Sequence, residues 1–192
     1  MPSRSLQEWH TTRTAKLDEI EAAHRSIGGI ARGRRYATEQ INHAYTVLLA
    51  SQFQGFCRDL HSECVDYIVW AITPVGLKAG LHSEFHLNRS LDRGNANPGA
   101  IGSDFNRLSI EFWNDVYADC PGNDRRRGLL ENLNTWRNAI AHQDFDPTQL
   151  GGNTTLHLAQ VQRWRRACNR LARSFDDVMR THILALTGAA PW

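Results

Sequence analysis

Ile41-Asn42-His43-Ala44-Tyr45-Thr46-Val47-Leu48-Leu49-Ala50-Ser51-Gln52-Phe53-Gln54-Gly55-Phe56 is the stretch on which the fold turns. It belongs to a longer pattern from Thr38 to Ile72, in which Ile41, Tyr45, Leu48, Gln52, Phe56, Leu60, Cys64, Ile68 and Ala71 recur at steps of three or four. That spacing keeps one side of an α-helix turned to a core for about nine turns. Thr38 reads as the N-cap, with Glu39 in the first turn, and Thr73-Pro74 stops the helix. A helix this long can cover its stripe only against several others, so the chain reads as an all-α bundle. Gly55, costly in mid-helix, marks a place where a neighbouring helix approaches closely.

Working outward, Leu158, Val161, Trp164, Cys168, Leu171, Phe175, Val178, His182 and Leu186 predict a second long helix over about residues 155–186, packed beside the first. Arg163, Arg165, Arg166, Arg170 and Arg173 give it a basic side, read as a solvated face. Toward the N-terminus, Ser5 to Ile27 reads as a polar helix with a thin stripe of Leu6, Trp9, Leu17, Ile20 and Ala23, ended by Gly28-Gly29. Arg32, Arg34 and Arg35 follow in a connector whose two readings are a solvated turn and, more sharply, a phosphate contact. The organisation is thus an N-terminal helix and basic connector over residues 1–35, then a helical domain over 36–192. Residues 88–103 are rich in turn formers and read as the longest loop. Ser103 or Asp104 then opens a helix through Phe105, Leu108, Phe112 and Val116, closed by Cys120-Pro121-Gly122. No strand pattern or internal repeat appears.

The composition narrows the function classes. A chain of 192 residues, 41% hydrophobic with six tryptophans, suits one folded domain. Net charge is +2, so any nucleic-acid binding must use a local patch. The cysteines at 57, 64, 120 and 168 read as free thiols in a cytoplasmic protein. No apolar run approaches the ~20 residues that span a bilayer.

A third helix begins around Asp124, read as its cap, with Arg125-Arg126-Arg127 in the first turn. Leu129, Leu133, Trp136 and Ile140 share its buried face. Glu131, Asn134, Asn138 and His142 fall roughly opposite, and Arg137 lies on the flank. An amide, an imidazole one turn later and a guanidinium in reach can bind a phosphate and move a proton near neutral pH. Arg137 and His142 also suit a plain helix end, since arginine favours helices and histidine favours the negative end of the dipole.

Arg137-Asn138-Ala139-Ile140-Ala141-His142 resembles the Arg-x(4–6)-His motif of the HEPN superfamily, and Ile41–Phe56 is similar to the long helix of its ribonuclease, RiboL-PSP-HEPN-like kind. The resemblance spans about residues 36–186. Those families often carry a glutamate before the Gly-Phe pair, where this chain has Gln54. The resemblance implies a HEPN-like helical bundle with two long central helices, paired by a two-fold axis into a homodimer. It also implies a metal-independent endoribonuclease acting as a toxin or antiviral-defence effector, with RNA as substrate. His142 would handle a proton, Arg137 would stabilise phosphoryl charge, and Asn138 would orient an oxygen. Arg125, Arg126 and Arg127 are candidate RNA-phosphate contacts, and a cognate antitoxin or defence protein is an expected partner. A second reading, from the same resemblance, is a non-catalytic module that binds nucleotides or proteins.

Two other groups contain histidine. Cys57, His61 and Cys64 have a ligating spacing but no evident fourth ligand, and read as small buried thiols beside a flanking histidine. His82 and His86 read as surface residues of a short helix, since His-Ser-Glu-Phe-His lacks the metalloprotease order. No cofactor is expected.

Overall fold

In the computed structural model, which describes residues 1–28, 35–72 and 74–192, the helices in chain order are α1 (Arg4–Glu8), α2 (Thr14–Gly28), α3 (Arg35–Ile72), α4 (Lys78–His86), α5 (Ser90–Arg93), α6 (Pro98–Asn106), α7 (Phe112–Asp119), α8 (Asn123–His142) and α9 (Leu158–Thr187). The π-helical turn Trp9–Arg13 joins α1 to α2, and the 3₁₀ turn Val75–Leu77 leads into α4. The protein is all-α: no strand occurs among the described residues. The connector bearing Arg32 and Arg34 lies outside them, as does Thr73.

At 38 residues, α3 is about 57 Å long at 1.5 Å per residue. It starts at Arg35, a turn earlier than the Thr38 cap suggests. Burial on α3 is wider than one stripe. Tyr45, Leu49, Phe53, Phe56, Leu60 and Cys64 are fully buried, and so are Thr46, Cys57, His61 and Val65 around the helix. Helices α1, α2, α8 and α9 pack along it, and α4, α5 and α6 cover the rest. The N-terminal segment supplies Leu6, Trp9 and Leu17 to this same core. Trp9 lies against Phe53 and Phe56, and its indole N–H donates to Asn169 Oδ1 of α9 at 3.0 Å.

What comes close at Gly55 is a side chain rather than a neighbouring helix. Arg13, projecting from the π turn, crosses directly over it, where any Cβ would overlap the guanidinium. From there Arg13 donates to Gln52 Oε1 at 3.1 Å and pairs with Asp59. Arg165 departs from the solvated reading of the α9 arginines. It is held by Asp18 at 2.6 Å, Glu21 at 3.4 Å and the Tyr45 hydroxyl at 3.1 Å. Burial pushes the Tyr45 phenol up to about 12, so it stays a neutral hydrogen-bonding partner.

The region expected as one long loop and one long helix is built differently. Residues 88–103 contain α5 and the first two-thirds of α6. Asn97 caps α6, its Oδ1 accepting the Ala100 N–H at 2.8 Å, and Pro98 occupies the first turn. Asp104 does not open a helix. It is buried inside α6 and accepts the N–H groups of Ser90 and Leu91, both at 2.8 Å, at the start of α5. The expected run through Phe105, Leu108, Phe112 and Val116 is broken before α7, where Ser109 takes φ +64° and Asn106 Oδ1 accepts the Phe112 N–H. All four apolar residues are buried even so.

His61 is not a flanking residue but a core one, 0% exposed, with the rings of Phe105 and His86 edge-on to it. Neither ring nitrogen has a hydrogen-bond partner among the described residues. Burial, helped by the nearby Arg89 and His86 charges, lowers its pKa to about 3. In the unfolded chain histidine titrates near 6.5, so between those values the unfolded state binds a proton that the fold refuses. Stability therefore drops as pH falls through this window, by about 2 kcal/mol at pH 5. Urea unfolding at pH 7.5 and 5.0 checks this: the wild type should lose roughly 2 kcal/mol more between the two than His61→Leu, which has no proton to refuse.

Candidate functional site

The C-terminal end of α8 is closed by Gln143 in the left-handed conformation (φ 55°), with the Asp144 N–H returning to the Ala139 carbonyl at 3.0 Å. That closure satisfies the last helical carbonyls and turns the chain back along the helix. Asp146 then accepts the Thr148 N–H at 2.9 Å and the Thr148 hydroxyl at 2.8 Å, and Leu150 is buried. Between helix and returning loop lies a cleft of about 260 Å³, lined by Thr135, Asn138, Ala139 and His142 on one side and Asp144, Gln149 and Leu150 on the other. His142 is exposed in it, and its ring makes no hydrogen bond with the described residues.

Asn138 is fixed rather than free. Its Oδ1 accepts from Asn95 Nδ2 and from Arg137 Nη1, the latter at 3.2 Å. With the carbonyl oxygen doubly engaged, the donor end of the amide remains for a ligand in the cleft. Asn95 is itself held in place. Gln54 of α3 donates to the carbonyls of Leu91 and Gly94, both at 2.7 Å, and Asn134 donates to the Ala96 carbonyl at 3.1 Å. A chain of amides thus runs from α3 through residues 91–96 to the cleft.

Asn134 was expected on the outer face with Asn138 and His142. It is buried, because the segment before α6 covers that flank of α8. Leu130 rather than Leu129 takes the buried position beside Leu133 and Trp136. Arg137 does not line the cleft and reaches it only through Asn138. Five residues apart, Arg137 and His142 stand about 140° apart round the helix and about 7.5 Å along it. One protomer therefore brings Asn138 and His142 together, with Arg137 to one side.

The three arginines at the other end of α8 separate into different roles. Asp124 is not the cap: Gly122 is, and Asn123 is buried, donating to the Val116 carbonyl and Ser174 Oγ. Arg126 is committed to Asn123 Oδ1 at 2.6 Å and Cys120 Sγ at 3.2 Å. Arg127 lies over the Trp113 ring and donates to the Tyr117 hydroxyl at 2.7 Å. Only Arg125 of the three has no hydrogen bond or ion pair with the described residues. By the helical rise, the group is about 22–26 Å from His142, too far to touch the same phosphate.

The remaining candidates sort cleanly. Cys57 and Cys64 are fully buried and burial drives both thiols well above their ordinary range. No group of His, Cys, Asp or Glu suited to a metal ion occurs among the described residues. His82 and His86 lie on short α4, bonded to Asp66 and to Ser62 Oγ. Sequence reading missed Asn95, Asp144 and Gln149. The Gln143-Asp144 closure carries no glycine to announce it, and Asn95 gains its meaning only from a residue 43 positions later.

Comparison with protein-family models, with curated proteins and with solved structures finds no match to this chain.

Gln54→Glu tests the amide chain. A carboxylate there has no N–H to donate and would face two carbonyl oxygens, so the variant should lose about 2–3 kcal/mol of unfolding free energy. Hydrogen exchange should also show faster exchange at residues 91–96 than in the wild type, whereas Gln54→Met should show the loss of bonds without the repulsion.

Proposed function

We propose that this protein is a metal-independent endoribonuclease of HEPN type, built on a HEPN-like bundle. The observation that carries the reading is the fixed Asn138 amide beside the unpartnered His142 imidazole in one cleft, with the Arg137 guanidinium bonded to the same amide. Two long central helices, α3 and α9, with the motif at the C-terminal end of the late helix α8, agree with the resemblance in the sequence. The chemistry is transesterification. The ribose 2′-oxygen bonds to the adjacent phosphorus as its proton passes to a base, the bond from phosphorus to the 5′-oxygen breaks, and that oxygen takes a proton. Products are a 2′,3′-cyclic phosphate and a 5′-hydroxyl. His142 serves proton transfer, the Asn138 N–H groups orient a phosphoryl oxygen, and Arg137 offsets the charge that grows there.

The angular separation of Arg137 and His142 supports the two-fold homodimer that goes with this reading, since pairing would bring one protomer's guanidinium toward its partner's imidazole. A shallow groove along α3 and α8 beside the motif, lined by Val47, Leu48 and Ile140 with His43, gives such a pairing an apolar surface. RNA is the substrate, and the cellular role is that of a toxin or defence effector held in check by a partner protein. The specific observation favouring the non-catalytic alternative is Gln54, whose amide holds the 91–94 backbone rather than facing the cleft.

Labelled single-stranded RNA incubated with purified protein decides between them. Cleavage should survive EDTA and fail where the ribose beside the scissile phosphate lacks its 2′-OH. His142→Ala should slow it by about 10²–10⁴-fold. Arg137→Lys should recover little, because a point charge cannot reproduce the bidentate fork. Cutting of an all-deoxy strand would overturn the assignment, and tight binding without any cleavage would favour the alternative.

A further inference from the structure

The face formed by α9 and the N-terminal half of α8 has no part in the cleft. Arg163, Arg166, Arg170 and Arg173 are all exposed, at steps of three, four and three, so they form one ridge about 15 Å long on the outer side of α9. None of the four has a hydrogen bond or a carboxylate within ion-pair distance among the described residues, in contrast to Arg165 between them. At one side of the ridge lies an open depression of about 620 Å³, in which Arg163 meets Arg125 and Arg127 of α8 across the bare backbone of Gly128. Beyond Arg127 stand Trp113, under its guanidinium, and Tyr117, stacked on Trp113 with ring centroids 5.9 Å apart. The acids on this face are Asp124 and Glu131 in the depression, and Asp177 with Asp119 beside it at the far end of the ridge. Six guanidinia face these four carboxylates, in a chain whose net charge is only +2.

We infer that this face is a track for the phosphate backbone of a single-stranded polynucleotide, with its aromatic end as a stacking platform. Every cation on it is arginine, whose fork matches phosphate oxygens and which loses little hydration on binding. Their rise of 4.5–6 Å from one to the next suits successive phosphates of an extended strand better than isolated anions. Arginine beside part-exposed aromatic rings, as at half-buried Trp113 and Tyr117, is the combination that holds single strands without reading sequence. An acidic peptide would use the guanidinia but make no use of the part-exposed rings of Trp113 and Tyr117. The track requires binding alone and stands apart from the cleavage reading.

The test uses fluorescence anisotropy with a single-stranded oligodeoxynucleotide of about 15 nucleotides, which lacks the 2′-OH and stays intact whether or not the protein cleaves RNA. Each phosphate contact to a single strand contributes about 0.7 to the slope of log affinity against log salt. The variant Arg163→Gln/Arg166→Gln/Arg170→Gln/Arg173→Gln should therefore lower the slope by about 2–3. The control Arg4→Gln/Lys16→Gln/Lys78→Gln/Arg93→Gln removes the same charge elsewhere and should change it by under about 0.5. Polyglutamate should compete far more weakly than unlabelled oligonucleotide. Equal losses in the two variants, no measurable binding by the wild type at low salt, or displacement by polyglutamate as effective as by oligonucleotide would each overturn the proposal.

Discussion

Covering α3 is the constraint that organises this molecule. A helix buried on most of its circumference cannot be satisfied by one neighbour, and the chain supplies cover from both directions. α1 and α2 come from before it, and α8 and α9 from well after it. The same burial dictates which polar groups α3 can carry. Asn42 donates to the Leu156 carbonyl at 2.8 Å, Thr46 to the Asn42 carbonyl within its own helix, and Gln54 to two carbonyls of the segment around α5. Each is a donor meeting a backbone oxygen, which is how an interior helix tolerates polarity at modest cost. Gly55 belongs to the same scheme: by omitting a side chain it lets Arg13 lie flat on α3 and reach Asp59.

The cleft at the end of α8 depends on that cover at one remove. Its floor is helix and its wall is a loop, but the residue that sets Asn138 comes from a third element tied back to α3. Site geometry is therefore an extension of core packing. The polar chain Gln54, Gly94, Asn95, Asn138, Arg137 contains no carboxylate to compete for an incoming phosphate, although Asp144 stands across the cleft. That carboxylate repels a second anion, which favours a ligand placing one phosphate beside Asn138 over one that crowds several together.

What the sequence makes legible here follows from how far each signal averages. α3 and α9 are read to within about a turn at either end, because thirty or more positions repeat the same step and errors cancel. The α5–α7 region is opaque for the opposite reason. Its boundaries are set by single long-range bonds, Asp104 to the start of α5 and Asn106 to the start of α7, which no local window contains. A signal was present in Asn97-Pro98, a cap followed by proline in the first turn, within a stretch dominated by turn formers. On α8 the period finds the helix but not the centre of its buried arc. That centre is moved toward Asn134 by the segment bearing Ala96, so an amide that the period places on the outer face is a buried, structural one. Trp9 and Leu17 show the same limit: a thin stripe gives no measure of how deeply it is buried.

The long reach of the α1 and α9 contacts shapes the order in which the chain can assemble. Ser3 donates to Asp176 across 173 positions, and Trp9 to Asn169 across 160. Contacts so distant in sequence carry a large loop-closure cost and form late. During vectorial synthesis the indole of Trp9 emerges long before Asn169 exists to accept its N–H. α1 and α2 can already pack on α3, with Trp9 against Phe53 and Phe56, but until α9 arrives the side of α3 that meets it has no cover. The nascent chain thus passes through a stage in which Phe53 has not yet met Phe175 and Trp9 has not yet met Asn169, and an open apolar side of a long helix is where aggregation competes.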